Sequence, residues 1–132
     1  MKRGYQALLD EANAQIEAVS PEEAARLAAG DDVVLVDIRD IRELDRDGRV
    51  PGAIHAPRGM LEFWVDPDSP YHKEVFSSGK TFVFFCAAGW RSALATKTVQ
   101  DMGLEPVKHI EGGFGAWKKA GLPVNLPPER KA

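Results

Sequence analysis

The chain has 132 residues, enough for one domain with a sizeable core and too few for two. Charged residues make up 28% and the formal net charge is −3, so the basic surplus of a nucleic-acid binder is missing. One cysteine excludes an internal disulfide and a Cys-x-x-Cys pair, the three histidines lack metal-ligand spacing, and no apolar run is long enough to span a membrane.

The amino terminus, Met1-Lys2-Arg3-Gly4-Tyr5, leads into a polar helix and carries no signal-peptide pattern. The expectation is a cytoplasmic protein without metal or cofactor; a mature chain with its signal removed would read the same. Tyr5, Leu8, Leu9, Ala12 and Ile16 share one face of a helix predicted over residues 3–17. That stripe either packs on the domain or is offered to a second copy in a homodimer. Ala18-Val19 reads as a short strand. Ser20-Pro21-Glu22-Glu23 is a capping box with Pro at the first helical position, opening a helix to Ala29 that Gly30 ends. Val33 to Ile38 is apolar enough for a strand buried on both faces. Arg39 to Leu44 predicts a short helix closing near Gly48. Val50 to Pro57 holds a turn and a short strand, Arg58 to Val65 a helix with a bulky apolar side, and Asp66-Pro67-Asp68-Ser69-Pro70 a turn. A short helix is predicted over Tyr71 to Phe76.

Phe82 to Phe85 is the second apolar run, in a strand predicted over Thr81 to Phe85, and it stops at Cys86. Ala87-Ala88-Gly89-Trp90-Arg91 follows. From Ser92 onward, Leu94, Ala95, Thr98, Val99 and Met102 recur at helical spacing, and Gly103 ends the helix. This puts Cys86 at the carboxyl end of a central strand and before a helix start, the edge where open α/β sheets bind ligands. Free N–H groups there form an anion cradle, and with Arg91 they favour a thiolate. The alternative is that Cys86 only packs as a small hydrophobe. Pro106 to Ile110 is the last strand. Glu111 to Gly121 is a Gly-rich turn and a short helix, with Gly112 and Gly113 read as serving the turn. Leu122 to Ala132 is expected to be extended or frayed. Strands alternating with helices predict an α/β fold with a mainly parallel sheet.

Four segments in order carry a family resemblance: Val36-Asp37-Ile38-Arg39 with Glu43; Gly48-Arg49-Val50-Pro51-Gly52-Ala53-Ile54; the loop from Cys86 to Arg91; and Gly112-Gly113-Phe114-Gly115-Ala116-Trp117 closing in Gly121-Leu122-Pro123-Val124. The chain resembles a single-domain rhodanese-homology sulfurtransferase. The resemblance covers about residues 19–124, between a helical extension (1–18) and a tail (125–132). It implies a five-stranded parallel sheet with helices on both faces. It also implies transfer of a sulfane sulfur from thiosulfate or polysulfide to a thiol or cyanide acceptor, through a persulfide on Cys86. The loop from Ala87 through Ala88, Gly89, Trp90 and Arg91 to Ser92 would hold the anion. The stretch from Pro57 to Trp64, with Asp66 to His72, is similar to the polysulfide-sulfurtransferase branch. One departure is Arg49, where the family has His; that His does not carry the sulfur.

Arg91 reads as an anion clamp, since a cation near a helix amino terminus is otherwise disfavoured. Trp90 either lies over the pocket mouth or covers the helix. Arg58 and Trp64 are candidates to line the pocket. Asp37, Arg39 and Glu43 read as a structural ion-pair network, and His55, His72 and His109 as surface or structural. Two other classes stay open: a Cys-dependent phosphatase or arsenate reductase, and a non-catalytic rhodanese-type binding module. The spacing weighs against the first, because Cys86 and Arg91 enclose four residues where those phosphatases use five. A retained Cys and an intact loop weigh against the second. With no second cysteine, a persulfide must be discharged by an external acceptor, so Cys86 is expected to be open on one side.

Overall fold

The computed structural model describes residues 1–127. Five strands form one sheet: β1 (Ala18–Val19), β2 (Val33–Asp37), β3 (Ile54–His55), β4 (Thr81–Phe85) and β5 (Val107–Ile110). Their order is β1-β5-β4-β2-β3 and every neighbouring pair is parallel. The two apolar runs, β2 and β4, lie side by side inside the sheet. Strands without a polar face are stable there because both sides are covered.

Six helices supply the cover: α1 (Tyr5–Gln15), α2 (Pro21–Ala28), α3 (Ile41–Asp47), α4 (Leu61–Val65), α5 (Trp90–Met102) and α6 (Gly113–Lys119). The pleat of β4 divides the core. Phe82, Phe84 and then Cys86 join Leu61 and Val65 of α4 and Ala95 and Val99 of α5. Val83 and Phe85 join Ala24 of α2 and Phe114 and Trp117 of α6 on the other side. The α/β architecture is the predicted one, with helices on both faces.

α1 forms a second tier. Leu9 and Ala12 are buried against Ala93 of α5, with Ile16 and Leu94 packed beside them. Burying one Leu this way is worth about 1.5–3 kcal/mol. Tyr5 and Leu8, from the same predicted stripe, stay exposed. The stripe is therefore split: its carboxyl-terminal part serves this chain's own core, and only Tyr5 and Leu8 remain for a partner.

Several boundaries shift for local reasons. α3 begins at Ile41, not Arg39, because Asp40 caps it: the Asp40 carboxylate accepts from the Arg42 N–H, and Glu43 accepts from the Asp40 N–H. α5 begins at Trp90, two residues before its apolar periodicity. Arg58–Met60 is a 3₁₀ turn leading into α4. The helix predicted over residues 71–76 reduces to a 3₁₀ turn at Glu74–Ser77, because the His72 ring spans from the Trp64 carbonyl to the Ser77 hydroxyl and holds the preceding residues out of a helix. The start of the tail is tied down: Asn125 pairs with Arg49 in both backbone directions, and the Trp117 indole donates to the Pro123 carbonyl at 2.8 Å. Residues 128–132 of the predicted frayed tail lie outside the described residues. No described helix is long and apolar enough to cross a membrane.

Candidate active site

The loop after β4 is wound around the Cys86 sulfur. Gly89 sits at φ 108°, a left-handed conformation that L side chains adopt only with strain, and it turns the chain into α5. Cys86 Sγ accepts from the Gly89 N–H at 3.1 Å and from the Ser92 N–H at 3.4 Å. Among the described residues, the N–H groups of Ala87, Ala88, Trp90 and Arg91 take no protein acceptor. They share the helix start with the two that hold the sulfur, so the loop concentrates N–H dipoles at one point.

The back of the loop is clamped by α6. The Phe114 N–H donates to the Cys86 carbonyl at 2.8 Å, and the Gly115 N–H to the Ala87 carbonyl at 3.0 Å. Those two carbonyls are thus taken up by α6, while the Gly89 and Ser92 N–H groups are on the sulfur. The approach is so close that a Cβ on Gly113 would lie 2.4 Å from the Cys86 carbonyl oxygen. Gly113 therefore does more than make a tight turn: it lets a helix end reach the loop backbone.

Two arginines flank this arrangement. Arg39 is wholly buried, paired with Asp37 at 2.7 Å, donates to the Gly48 carbonyl and stacks its guanidinium 4.1 Å over the Phe114 ring. Arg91 is more open and grips Glu43 of α3 with both terminal nitrogens, at 2.6 and 3.0 Å. Those hydrogen bonds outweigh partial burial and hold the Glu43 carboxyl below its ordinary pKa. Arg91 is raised mainly by Glu43, with a smaller contribution from the Cys86 sulfur beside it. The supposed three-member network is thus two separate pairs, and Glu43 serves the loop arginine.

A further contact lies beneath the sulfur. The Cys86 thiol is 3.6 Å from Ser92 Oγ, which is 3.0 Å from His109 Nδ1. Ser92 and His109 are both buried. Burial pushes the His109 pKa down, only partly opposed by Glu111, which favours the neutral ring.

With this geometry in place, the model of the rhodanese-like domain matches residues 20–120. The chain belongs to the rhodanese-like domain family. Among relatives, a sulfurtransferase of Allochromatium vinosum is 31% identical over 102 residues, covering 77% of this chain and 87% of that one. A solved protein of unknown function from Rhodopseudomonas palustris, described as a possible tyrosine phosphatase, is 57% identical with a TM-score of 0.90, over 95% of this chain and 96% of that one. The polysulfide-sulfur transferase homodimer of Wolinella succinogenes is 29% identical with a TM-score of 0.73, over 97% and 91%. Relatives differ in size: the chain spans only 54% of a 33%-identical Synechocystis protein.

In this rhodanese-like domain the predicted site residues fall into three groups. Gly89 and Ser92 bond the Cys86 sulfur through their N–H groups, and Ala87, Ala88, the Trp90 backbone and Arg91 make up the rest of the loop. Arg58 pairs with Glu62 at 2.8 Å, and Trp64 lies under the Lys73 ammonium; no hydrogen bond or ion pair joins either to the Cys86 loop among the described residues. Trp90 projects outward, with its ring 5.1 Å from that of Tyr5, and lines a cavity of about 340 Å³ with Ala88, Gly89, His109 and Glu111. His109, expected to be merely structural, touches the machinery of the loop. No motif marks it; only the pairing of Phe84 with His109 across β4 and β5 brings it under Cys86. Cys86 itself is 1% exposed, so the expected open face is not seen at that residue, over which the small loop residues fold.

Proposed function

We propose that this rhodanese-like domain is a sulfurtransferase that carries a sulfane sulfur on Cys86. The observation that carries the reading is the Cys86 sulfur at a strand end, held by the Gly89 and Ser92 N–H groups with further N–H groups free beside it. In the reaction the Cys86 thiolate attacks the outer sulfur of thiosulfate or a polysulfide. The S–S bond of the donor breaks and sulfite, or a shortened polysulfide, leaves with the electron pair. Cys86 then bears a terminal anionic sulfur. A thiolate or cyanide attacks that sulfur, and the Cys86 thiolate departs. The added sulfur extends about 2 Å beyond Sγ. There the remaining N–H groups and Arg91 can share its charge, as oxyanion donors share a developing charge. With one cysteine in the chain, the acceptor must come from outside. The site is held without metal or cofactor in this reading, and the chemistry asks for neither.

A second reading is phosphoryl transfer, favoured by the description of the R. palustris relative as a possible tyrosine phosphatase. Two features weigh against it. The Cys86–Arg91 loop has four intervening residues, a smaller cradle than a phosphate needs. Two of the three carboxylic acids that could serve as general acid are engaged elsewhere, Glu62 with Arg58 and Asp66 in its own turn on the Asp68 N–H, and the third, Asp68, is an exposed residue of that turn.

The test is intact mass after incubation with thiosulfate and with polysulfide. A single-sulfur adduct, lost on reduction and absent in Cys86→Ser, is the expected result, together with turnover to cyanide or a thiol. Cys86-dependent hydrolysis of an aryl phosphate, with no sulfur taken from either donor, would replace the first reading by the second. A homodimer, as described for the W. succinogenes neighbour, would use the exposed Tyr5 and Leu8; a monomer in concentrated solution by sedimentation removes that part of the proposal.

A further inference from the structure

We propose that Ser92 and His109 act as one positioning pair, which turns the Ser92 hydroxyl onto Cys86 whenever the sulfur is anionic. The inference rests on Cys86 being the nucleophile. Three facts carry it: the 3.6 Å contact from Cys86 Sγ to Ser92 Oγ, the 3.0 Å contact from Ser92 Oγ to His109 Nδ1, and the burial of both partners.

A serine hydroxyl has one proton and so one direction. With Cys86 as a thiol, the S–H donates to Ser92 Oγ and the Ser92 O–H donates to His109 Nδ1. With Cys86 as a thiolate, the useful order is reversed: Nδ1–H donates to Ser92 Oγ, and the Ser92 O–H donates to the sulfur. A neutral imidazole serves both orders by changing tautomer, without bringing a charge into the core. The shift balances. The thiol proton passes to Ser92 Oγ, the Ser92 proton passes to Nδ1, and the Nε2 proton leaves to water. His109 lines the surface cavity of about 340 Å³ beside Trp90 and Glu111, which provides that exit. When sulfur is handed on and the thiolate departs, the same hydroxyl stabilises it.

The charged groups around the ring are few. Glu111 acts on it from the end of β5. Across the sheet edge Glu17 is occupied by Lys108, and at the loop Arg91 is occupied by Glu43. Ser92 also contacts the Gly89 carbonyl at 3.3 Å, a resting direction that His109 must outcompete.

The experiment follows alkylation of Cys86 by iodoacetamide against pH in the full chain. It compares wild type, Ser92→Ala, His109→Phe, His109→Asn and the Ser92→Ala/His109→Phe double variant, with thermal melts as a folding control. Ser92→Ala and His109→Phe are expected to move the profile upward by about one pH unit, which is about tenfold in rate on its rising limb. The double variant should show no further shift. His109→Asn, whose amide can accept or donate toward Ser92, should recover most of the rate. A wild-type profile in His109→Phe overturns the proposal. So do additive shifts in the double variant, or a His109→Asn that melts like wild type and reacts like His109→Phe. Because alkylation needs no sulfur donor, a wild type that reacts normally but never loads sulfur defeats the proposed function and leaves the pair tested on its own.

Discussion

The two arginine pairs beside the loop are chemically alike and physically opposite. Arg39 and Asp37 are 0% and 2% exposed, and Arg39 stacks on the Phe114 ring, whose own N–H grips Cys86. Arg91 and Glu43 are 41% and 18% exposed and face the loop from the helix start. A buried pair is expensive to desolvate and more expensive to break. A half-exposed pair is screened and easily parted. The first therefore belongs to the rigid backing of the loop. The second leaves a partly exposed guanidinium near the sulfur, which the proposed anion-binding role of Arg91 would use.

The sharpest way to break this contrast is Arg39→Met. It strands the Asp37 carboxylate in the core, and the expected loss is about 3–5 kcal/mol. The melting temperature should fall by roughly 10 °C or more. A shift of only a degree or two would mean that the backing is not held by this pair. Next is Gly113→Ala. Its Cβ would meet the Cys86 carbonyl at 2.4 Å, so loop and α6 must separate. The expected cost is about 1–3 kcal/mol, and displacement of the sulfur should slow persulfide formation by on the order of a hundredfold. Wild-type loading in a folded variant would show that α6 does not set the loop.

Arg91→Ala should separate stability from activity. Stability should change by no more than about 1 kcal/mol, while sulfur transfer falls by roughly tenfold to a hundredfold. Equal losses in both, measured by denaturant titration and initial rates, would erase the distinction between the two arginines. The smallest expected effect is in Glu43→Gln. The folded-state pKa of Glu43 is lowered by Arg91, so its contribution to stability is complete above the unfolded value of about 4.3 and is lost as pH falls through the folded value. Removing the carboxylate should flatten that acid limb of the stability curve and lower the curve above pH 6 by a constant amount, with no change of slope there. An unaltered acid limb would show that the Arg91 tie contributes nothing.

Much of this is legible in the sequence. The two mainly apolar runs, residues 33–38 and 81–85, read as interior strands of a covered sheet, and they are. The place of Cys86 followed from the abrupt end of the second run and from Gly89 before a helical pattern. What stayed hidden was each contact made across distant sequence. Glu43 and Arg91 are 48 residues apart, and Glu43 looked like a partner for the nearby Arg39. The α1 stripe was visible, but which half of it α5 would cover was not, since Ala93 and Leu94 belong equally to the helix they sit on.

By itself, then, the amino-acid order determined most of the elements, the parallel α/β class and the loop at the end of β4. These depend on local periodicity, on apolar length and on which residues tolerate a left-handed turn, all of which act over a few neighbours. Tertiary structure alone decided what touches the sulfur from behind. Strand register places His109 under Cys86, and the packing of α6 puts the Phe114 and Gly115 N–H groups on the loop carbonyls. Those contacts exist only when the sheet is assembled, because register and layer packing are set by the burial of whole faces and not by any one residue's preference.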